Sequence, residues 1–160
     1  MQPPLKRVVS IPLLALTFLC HSSRAYQADA NPTPRTSFVF AYVQNACGPA
    51  DGPALEFYFT AKKSQLGKYD EPFILISINE NLPGPVPHDY SIKSDKDPVL
   101  ASRCLSKGRC DAATSGALHL SAFKPGKGAT GEYELHFQNG RVERDNFDAT
   151  WRVAKQLLCG

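Results

Sequence analysis

The chain has 160 residues, a formal net charge of +3 and five cysteines, and 42% of its residues are apolar. This length is typical of one domain and short for two, and the apolar fraction excludes a chain that is disordered throughout. The positive excess raises the question of a nucleic-acid or anionic-membrane partner, and the odd cysteine count raises that of a free thiol. Both questions depend on which part of the chain carries these residues.

The first 25 residues have the three-part pattern of a secretory signal. Lys6 and Arg7 form a basic start, an apolar stretch runs from Val8 to Cys20, and Ser23-Arg24-Ala25 places small residues where a signal peptidase reads. We predict a cleaved signal over 1–25, with a cut after Ala30 as the alternative. The apolar stretch is about 13 residues long and a span needs roughly 20, so no stable membrane anchor is expected.

Removing that segment changes both the net charge and the number of cysteines. Residues 1–25 hold Lys6, Arg7, Arg24 and Cys20, and no acidic residue. The mature chain then has no formal net charge, so a nucleic-acid partner is not expected. Four cysteines remain, and an even number in an exported chain is typical of two disulfides. We therefore predict a periplasmic or secreted protein.

A polar, proline-containing lead-in is predicted over 26–36, followed by one disulfide-stabilised β domain over 37–160. The predicted strands share an alternation of large apolar with other side chains, and they lie at 37–43, 55–60, 73–78, 117–123, 133–137 and 141–153. The first is apolar on both faces, which is typical of a central strand, and the second on one face only. Val99 to Cys104 has the spacing of one helical turn, and Trp151 to Leu158 that of a short C-terminal helix.

The clearest local signal is Asn139-Gly140, which predicts a type I′ hairpin turn because both residues tolerate positive φ. After it, Val142 is even-numbered, whereas the later apolar residues Phe147, Ala149 and Trp151 are odd-numbered. A β-bulge or a break near Arg144–Asn146 would bring both sets to one face. Several short strands separated by turns predict an all-β fold, an antiparallel β-sandwich, with a small closed β-barrel as the alternative.

The four cysteines allow three pairings, of which we favour Cys47–Cys159 with Cys104–Cys110. The second pair brackets a short segment whose Ser-Lys-Gly centre can turn. Structural disulfides are favoured over zinc binding, because no paired short cysteine spacing is found. The bracketed loop displays Lys107 and Arg109, and a preorganised basic loop could bind a protease or a receptor. The alternative interpretation is a stapled surface turn.

Two histidines lie on the polar phases of predicted neighbouring strands. His119 and His136 could hold a metal if the strands bring them together, with a carboxylate such as Glu134 or Asp148 as a further ligand. Exposed polar side chains are the favoured interpretation, so neither a metal nor a cofactor is predicted. No nucleophile motif and no placed pair of carboxylates is found.

From Gly131 to Cys159 the chain resembles a set of uncharacterised exported bacterial β-sandwich proteins. Their closing segment has an alternating strand, an Asn-Gly or Asp-Gly turn, a Phe-x-Ala strand and a final cysteine, which here are 131–140, Phe147-Asp148-Ala149 and Cys159. The stretch from Trp151 to Leu158 departs from that pattern, since it separates the last strand from the cysteine. The resemblance implies an antiparallel β-fold outside the cytoplasm and no catalytic residue.

These observations predict an exported, non-enzymatic protein with a binding or structural role, whose specific ligand the sequence does not identify; a protein and a glycan are the candidate classes of partner. A protease inhibitor or receptor binder acting through the Cys104–Cys110 loop is one alternative. A hydrolase or metal-dependent enzyme is the other.

Overall fold

The computed structural model describes residues 38–48, 52–64, 71–79, 86–93, 98–106, 108–153 and 159. These residues belong to one compact unit, Arg35–Gly160. The predicted signal and the whole lead-in lie outside the described residues, as does 154–158 of the C-terminal helix predicted over 151–158, whose first residue, Trp151, ends β8. Eight strands are described: β1 (Phe40–Cys47), β2 (Pro53–Thr60), β3 (Phe73–Ile78), β4 (His88–Lys93), β5 (Val99–Ser106), β6 (Arg109–Lys124), β7 (Gly128–Phe137) and β8 (Val142–Trp151).

The fold is all-β, as predicted, but it is a closed barrel and not a sandwich. The strands form one sheet in the order β4-β6-β5-β3-β2-β1-β8-β7, and β6 also pairs with β7. That last pairing closes a ring of seven strands, from which β4 is left out. The long strand β6 makes closure possible, because one of its edges pairs with β5 and β4 in turn while the other edge pairs with β7. Closure removes the free edges that a sandwich would retain.

Two register shifts in β6 bend the sheet into this ring. They lie between Ala113 and Ser115 and between Leu120 and Ala122, where β6 has one extra residue relative to β7. Each extra residue reverses the face of the following side chains and increases the local twist. Ala113 therefore faces the core at one end of the strand, whereas Leu118 and Leu120 face it in the middle.

The bulge predicted near Arg144–Asn146 does not form. Strand β8 pairs with β7 in one unbroken register, from Gly128 opposite Thr150 to His136 opposite Val142. The odd-numbered phase of β8 carries the buried Phe147 and Ala149, whereas Val142, in the even-numbered phase, is 49% exposed. The inward position beside it is occupied by Glu143, whose side chain is only 11% exposed. The prediction was wrong because it assigned the inward position to the apolar neighbour.

The β7–β8 turn lies where it was predicted, but its type differs. The amide of Gly140 donates to the carbonyl of Phe137, which places Gln138 and Asn139 at the centre of the turn. Gly140 follows them with a φ of 78°. Three residues thus separate the paired Phe137 and Arg141, and glycine takes the left-handed position that completes such a loop. The predicted two-residue turn centred on Asn139-Gly140 is wrong by one residue.

Two further predictions about local structure need correction. The segment from Val99 to Cys104 is not a helical turn but most of β5, and each of its six residues pairs with β3. Strand β2 is buried on both faces, because Tyr58 on its outer side is covered together with Phe73 and Cys104. By contrast, the central position predicted for the first strand is confirmed, since β1 lies between β2 and β8.

Two disulfides join the pairs favoured from the sequence, Cys47 to Cys159 and Cys104 to Cys110. The first closes a sequence separation of 112 residues and ties the end of β1 to the C-terminal end of the chain. The second links residues that lie directly opposite each other on β5 and β6. Two such bridges indicate a protein that folds in an oxidising compartment.

Aromatic side chains fill the inside of the barrel. Phe59 packs against Tyr133 with ring centroids 4.6 Å apart and against Phe147 at 5.2 Å. Close backbone contact tightens the wall at Gly131, where a Cβ atom would lie 2.0 Å from the carbonyl oxygen of His119. Because the interior is filled by side chains, we looked for binding surfaces on the outside and at the ends of the barrel.

Candidate functional site

The Cys104–Cys110 hairpin ends the β5–β6 pair as an exposed, stapled tip. Ser106 pairs with Arg109 across the turn, and Gly108 has a φ of 81°. Arg109 is exposed and Leu105 is 40% exposed. Lys107, the other predicted binding residue, lies outside the described residues. The tip therefore presents one described cation beside an apolar side chain.

The two histidines do not converge. His119 lies opposite Glu132 on β7, so His136 is four residues further along the ladder. At 3.3 Å per residue that separation is about 13 Å, too far for one metal ion. Each histidine has a carboxylate neighbour of its own: Nδ1 of His119 contacts Asp89, and Nε2 of His136 lies 2.8 Å from Glu134.

The further carboxylates do not complete a metal site. Within the described segments, no group of three histidine, cysteine, aspartate or glutamate side chains could hold a metal ion. The suggestion that His119 and His136 share a metal is therefore wrong, because it required the register to place them side by side.

An ionic cluster closes one end of the barrel, and the sequence did not indicate it. Nε of Arg103, on β5, lies 3.1 Å from Oε1 of Glu143, on β8. These strands are not neighbours in the sheet, so the pair crosses the inside of the barrel. Arg141 donates a hydrogen bond to the same oxygen. The side chains of Arg103 and Glu143 are only 5% and 11% exposed.

Burial and charge shift the pKa values of two groups near this end. Desolvation lowers the pKa of Arg103 below its ordinary value, and repulsion by Arg141 lowers it further, while Glu143 opposes both effects. Desolvation also raises the pKa of the Tyr133 hydroxyl, and the charges of Asp145 and Glu143 add to that rise. The raised pKa keeps the Tyr133 hydroxyl protonated. We therefore assign this group of side chains a structural role.

A candidate site is a groove whose floor is the outer face of β2, β3 and β5 and whose edge includes residues of β4 and β6; its cavity volume is about 500 Å³. One row of its floor runs across the strands through Glu56, Ser77 and Leu100. A second row contains Leu75 and Ser102. All five point outward, because their neighbours along each strand, such as Ile74 and Ile76, are buried in the core. The remaining described lining residues are Cys47, Gly48, Asn79, Ile92, Lys93, Val99, Ala101, Ala112 and Ala113.

This groove has the composition of a small-molecule site. Leu75 and Leu100 provide apolar surface, and Leu100 is 37% exposed. A few polar groups stand among them, namely the Glu56 carboxylate and the hydroxyls of Ser77 and Ser102. Cavities of a few hundred Å³ with mostly apolar walls and a few convergent polar groups are the usual form of ligand sites.

The sequence did not single out these residues, although a weak signal was present. Leu75 and Leu100 occupy the outward phase of their strands, where a fully solvated face would carry polar residues. That signal has meaning only once β3 and β5 are known to be neighbours. The predicted helical turn at Val99 to Cys104 concealed it.

No protein-family model matches the chain, and no curated protein or solved structure matches it at the significance required. Within the described residues, a helix with the length and apolar character needed to cross a membrane is not found. The resemblance of 131–159 to exported bacterial proteins stays a prediction. The class that the structure defines is a disulfide-bonded, closed β-barrel with an outer-face groove, in which β1 pairs with β8 in parallel and the other neighbouring strands pair antiparallel.

Proposed function

We propose that this is an exported, non-catalytic protein that binds a small, largely apolar ligand in the groove on β2, β3 and β5. The observation that carries the proposal is the groove itself, an open cavity of about 500 Å³ whose floor includes Leu75 and Leu100. Burying one leucine side chain contributes about 2 kcal/mol, so two of them suffice for weak specific binding of an apolar molecule. Because side chains fill the inside of the barrel, a binding site on its outside is favoured.

Export is part of this proposal. The two disulfides require an oxidising compartment, and the predicted signal over 1–25 supplies a route to it. The proposal covers both destinations, the periplasm and the outside of the cell. Intact-mass measurement of the exported protein tests this part, with loss of 1–25 and no free thiol as the expected result. Retention of the N-terminal segment would contradict it.

Binding can be tested with 1-octanol as an apolar probe in an amide NMR titration. We expect saturable shifts at the amides of β2, β3 and β5, and few on β7. Leu100→Glu should weaken binding at least tenfold, because it places a charge on the apolar floor. Val142→Glu is the matched control, since Val142 is 49% exposed and lies on β8, which β1 separates from the groove strand β2. Non-saturable shifts, or equal losses in both variants, would refute the groove as the site.

A second candidate function is supported by the stapled hairpin. Leu105 and Arg109 are both exposed at a tip that the Cys104–Cys110 bridge holds rigid. Such a tip could enter the specificity pocket of a trypsin-like protease at little entropic cost. Inhibition of trypsin that is lost in the Lys107→Ala/Arg109→Ala double variant would support this function. A wild-type protein that does not inhibit trypsin would refute this second candidate function.

A further inference from the structure

The Glu56 carboxylate is fixed in the groove from one side. The hydroxyl of Tyr58 donates to Oε2 at 2.5 Å, and Nε2 of Gln44 lies 3.4 Å from the same oxygen. Both groups therefore donate to Oε2, and neither donates to Oε1. A carboxylate held in this way has a fixed direction before any ligand arrives.

In the part of the chain that the structure describes, no cation is paired with this carboxylate. Among the described residues, the ion pairs involve Arg103, Arg141, Arg144 and two histidines, and none of them reaches Glu56. Lys93 lines the same groove but does not form an ion pair with Glu56. A half-buried negative charge beside apolar surface interacts more strongly with an incoming cation than a fully solvated charge does.

Ser77 adds a second acceptor beside Glu56, because the two residues are direct partners across β2 and β3. The Ser77 hydroxyl donates its proton to Oδ1 of Asn79 at 3.0 Å. With that proton in use, the oxygen faces other groups only as an acceptor. The polar end of the groove therefore offers acceptors from two adjacent strands to a group that has several donors.

We infer that the ligand is an amphipathic amine, a conclusion that rests on the proposed function of the groove. Its ammonium group donates to Oε1 of Glu56 and to Oγ of Ser77, since an ammonium has three donors and no acceptor. Its apolar part lies across β3 and β5 over Leu75 and Leu100. Glu56 and Leu100 are two strands apart, so the ligand spans roughly 10 Å at the usual strand spacing.

Three probes of equal length separate this inference from the proposed function: octylamine, octanol and octanoate, each titrated at pH 7 into the oxidised protein. We expect octylamine to bind about tenfold more tightly than octanol, and octanoate more weakly than either. Glu56→Gln should bring octylamine to the affinity of octanol and leave octanol unchanged. Glu132→Gln, which removes an exposed carboxylate from β7 outside the groove, should leave all three affinities unchanged.

The possible results are distinct. If octanol does not bind, the proposed function itself fails. If octanol binds and octylamine has no advantage, the groove is a ligand site but the inference about the amine is overturned. A preference for octanoate would also overturn it and would assign recognition to Lys93. Raising the salt concentration should reduce the advantage of octylamine without affecting octanol, because only the ion pair is screened.

Discussion

The ion pair between Arg103 and Glu143 gives a sharp test of the barrel structure, because the two residues come from strands that are not neighbours. Glu143→Gln leaves a guanidinium that is only 5% exposed without its 3.1 Å carboxylate partner and leaves Arg141 beside it. Removing one member of a buried pair costs about 3–5 kcal/mol. The lowered pKa of Arg103, caused first by burial, shows the same desolvation that an unpaired charge would have to bear.

A double-mutant cycle isolates the pair from other effects of substitution. Arg103→Met alone should also destabilise the protein, because it leaves the buried carboxylate with only Arg141. The double variant Arg103→Met/Glu143→Leu should recover most of the loss, since two apolar side chains of similar volume need no partner. We expect a coupling energy of at least about 2 kcal/mol between the two positions.

The free energy of unfolding can be measured by urea denaturation, with the fluorescence of the single tryptophan, Trp151, as the signal. Loss of about 3 kcal/mol corresponds to a fall in Tm of roughly 10 °C for a domain of this size. Arg144→Gln is the control, because Arg144 and Glu134 are 3.9 Å apart and 74% and 46% exposed. That change should cost less than about 0.5 kcal/mol. A Glu143→Gln cost as small as the control's, or additive losses in the cycle, would refute the buried cross-barrel pair.

Three other changes test separate parts of the fold. Gly131→Ala should destabilise by about 1–3 kcal/mol, since its Cβ would lie 2.0 Å from a backbone oxygen of β6, whereas Gly52→Ala, with open space around it, should be nearly neutral by the same urea assay. Replacing Cys104 and Cys110 together by serine should cost about 2.5 kcal/mol by chain-entropy arithmetic, and an unchanged urea midpoint would contradict a formed staple. The pKa of Tyr133 is raised in the folded protein, so the folded state keeps a proton that the unfolded state releases above about pH 10. Stability should therefore fall as the pH rises past that value, and Tyr133→Phe should reduce this slope.

The positions of most strands could be predicted from the sequence because alternation is a local property. Strand β3 coincides with the predicted 73–78, and the β7–β8 hairpin lies at the predicted turn. Strand β4 was not predicted, since its alternation rests on only two apolar residues, Tyr90 and Ile92, directly after a proline-rich stretch. Closure of the barrel could not be predicted either. It depends on two extra residues in β6, which count as extra only relative to the register of β7.

Glu143 shows why alternation alone predicted a bulge in β8 that does not form. Read by itself, a strand with Val142 and Glu143 favours burying the valine. The structure buries Glu143, because Arg103 from a distant strand supplies the opposite charge and Arg141 donates a hydrogen bond to the carboxylate. Partners of this kind are separated widely in sequence, so no local pattern contains them.

The candidate site on the outer face of the barrel is likewise formed by residues that are distant in sequence. Leu75 packs at the edge of a small outer cluster whose buried members are Tyr58, Phe73 and Cys104, and it also lines the groove. The cluster and the groove are thus one apolar strip, covered at one end and open at the other. The Cys104–Cys110 staple lies at the covered end and pins β5 to β6 there. Holding the strip rigid at that end reduces the entropy that the open end would otherwise lose when it binds a ligand. For the proposed binding function, the staple therefore supports the groove as well as the stability of the fold.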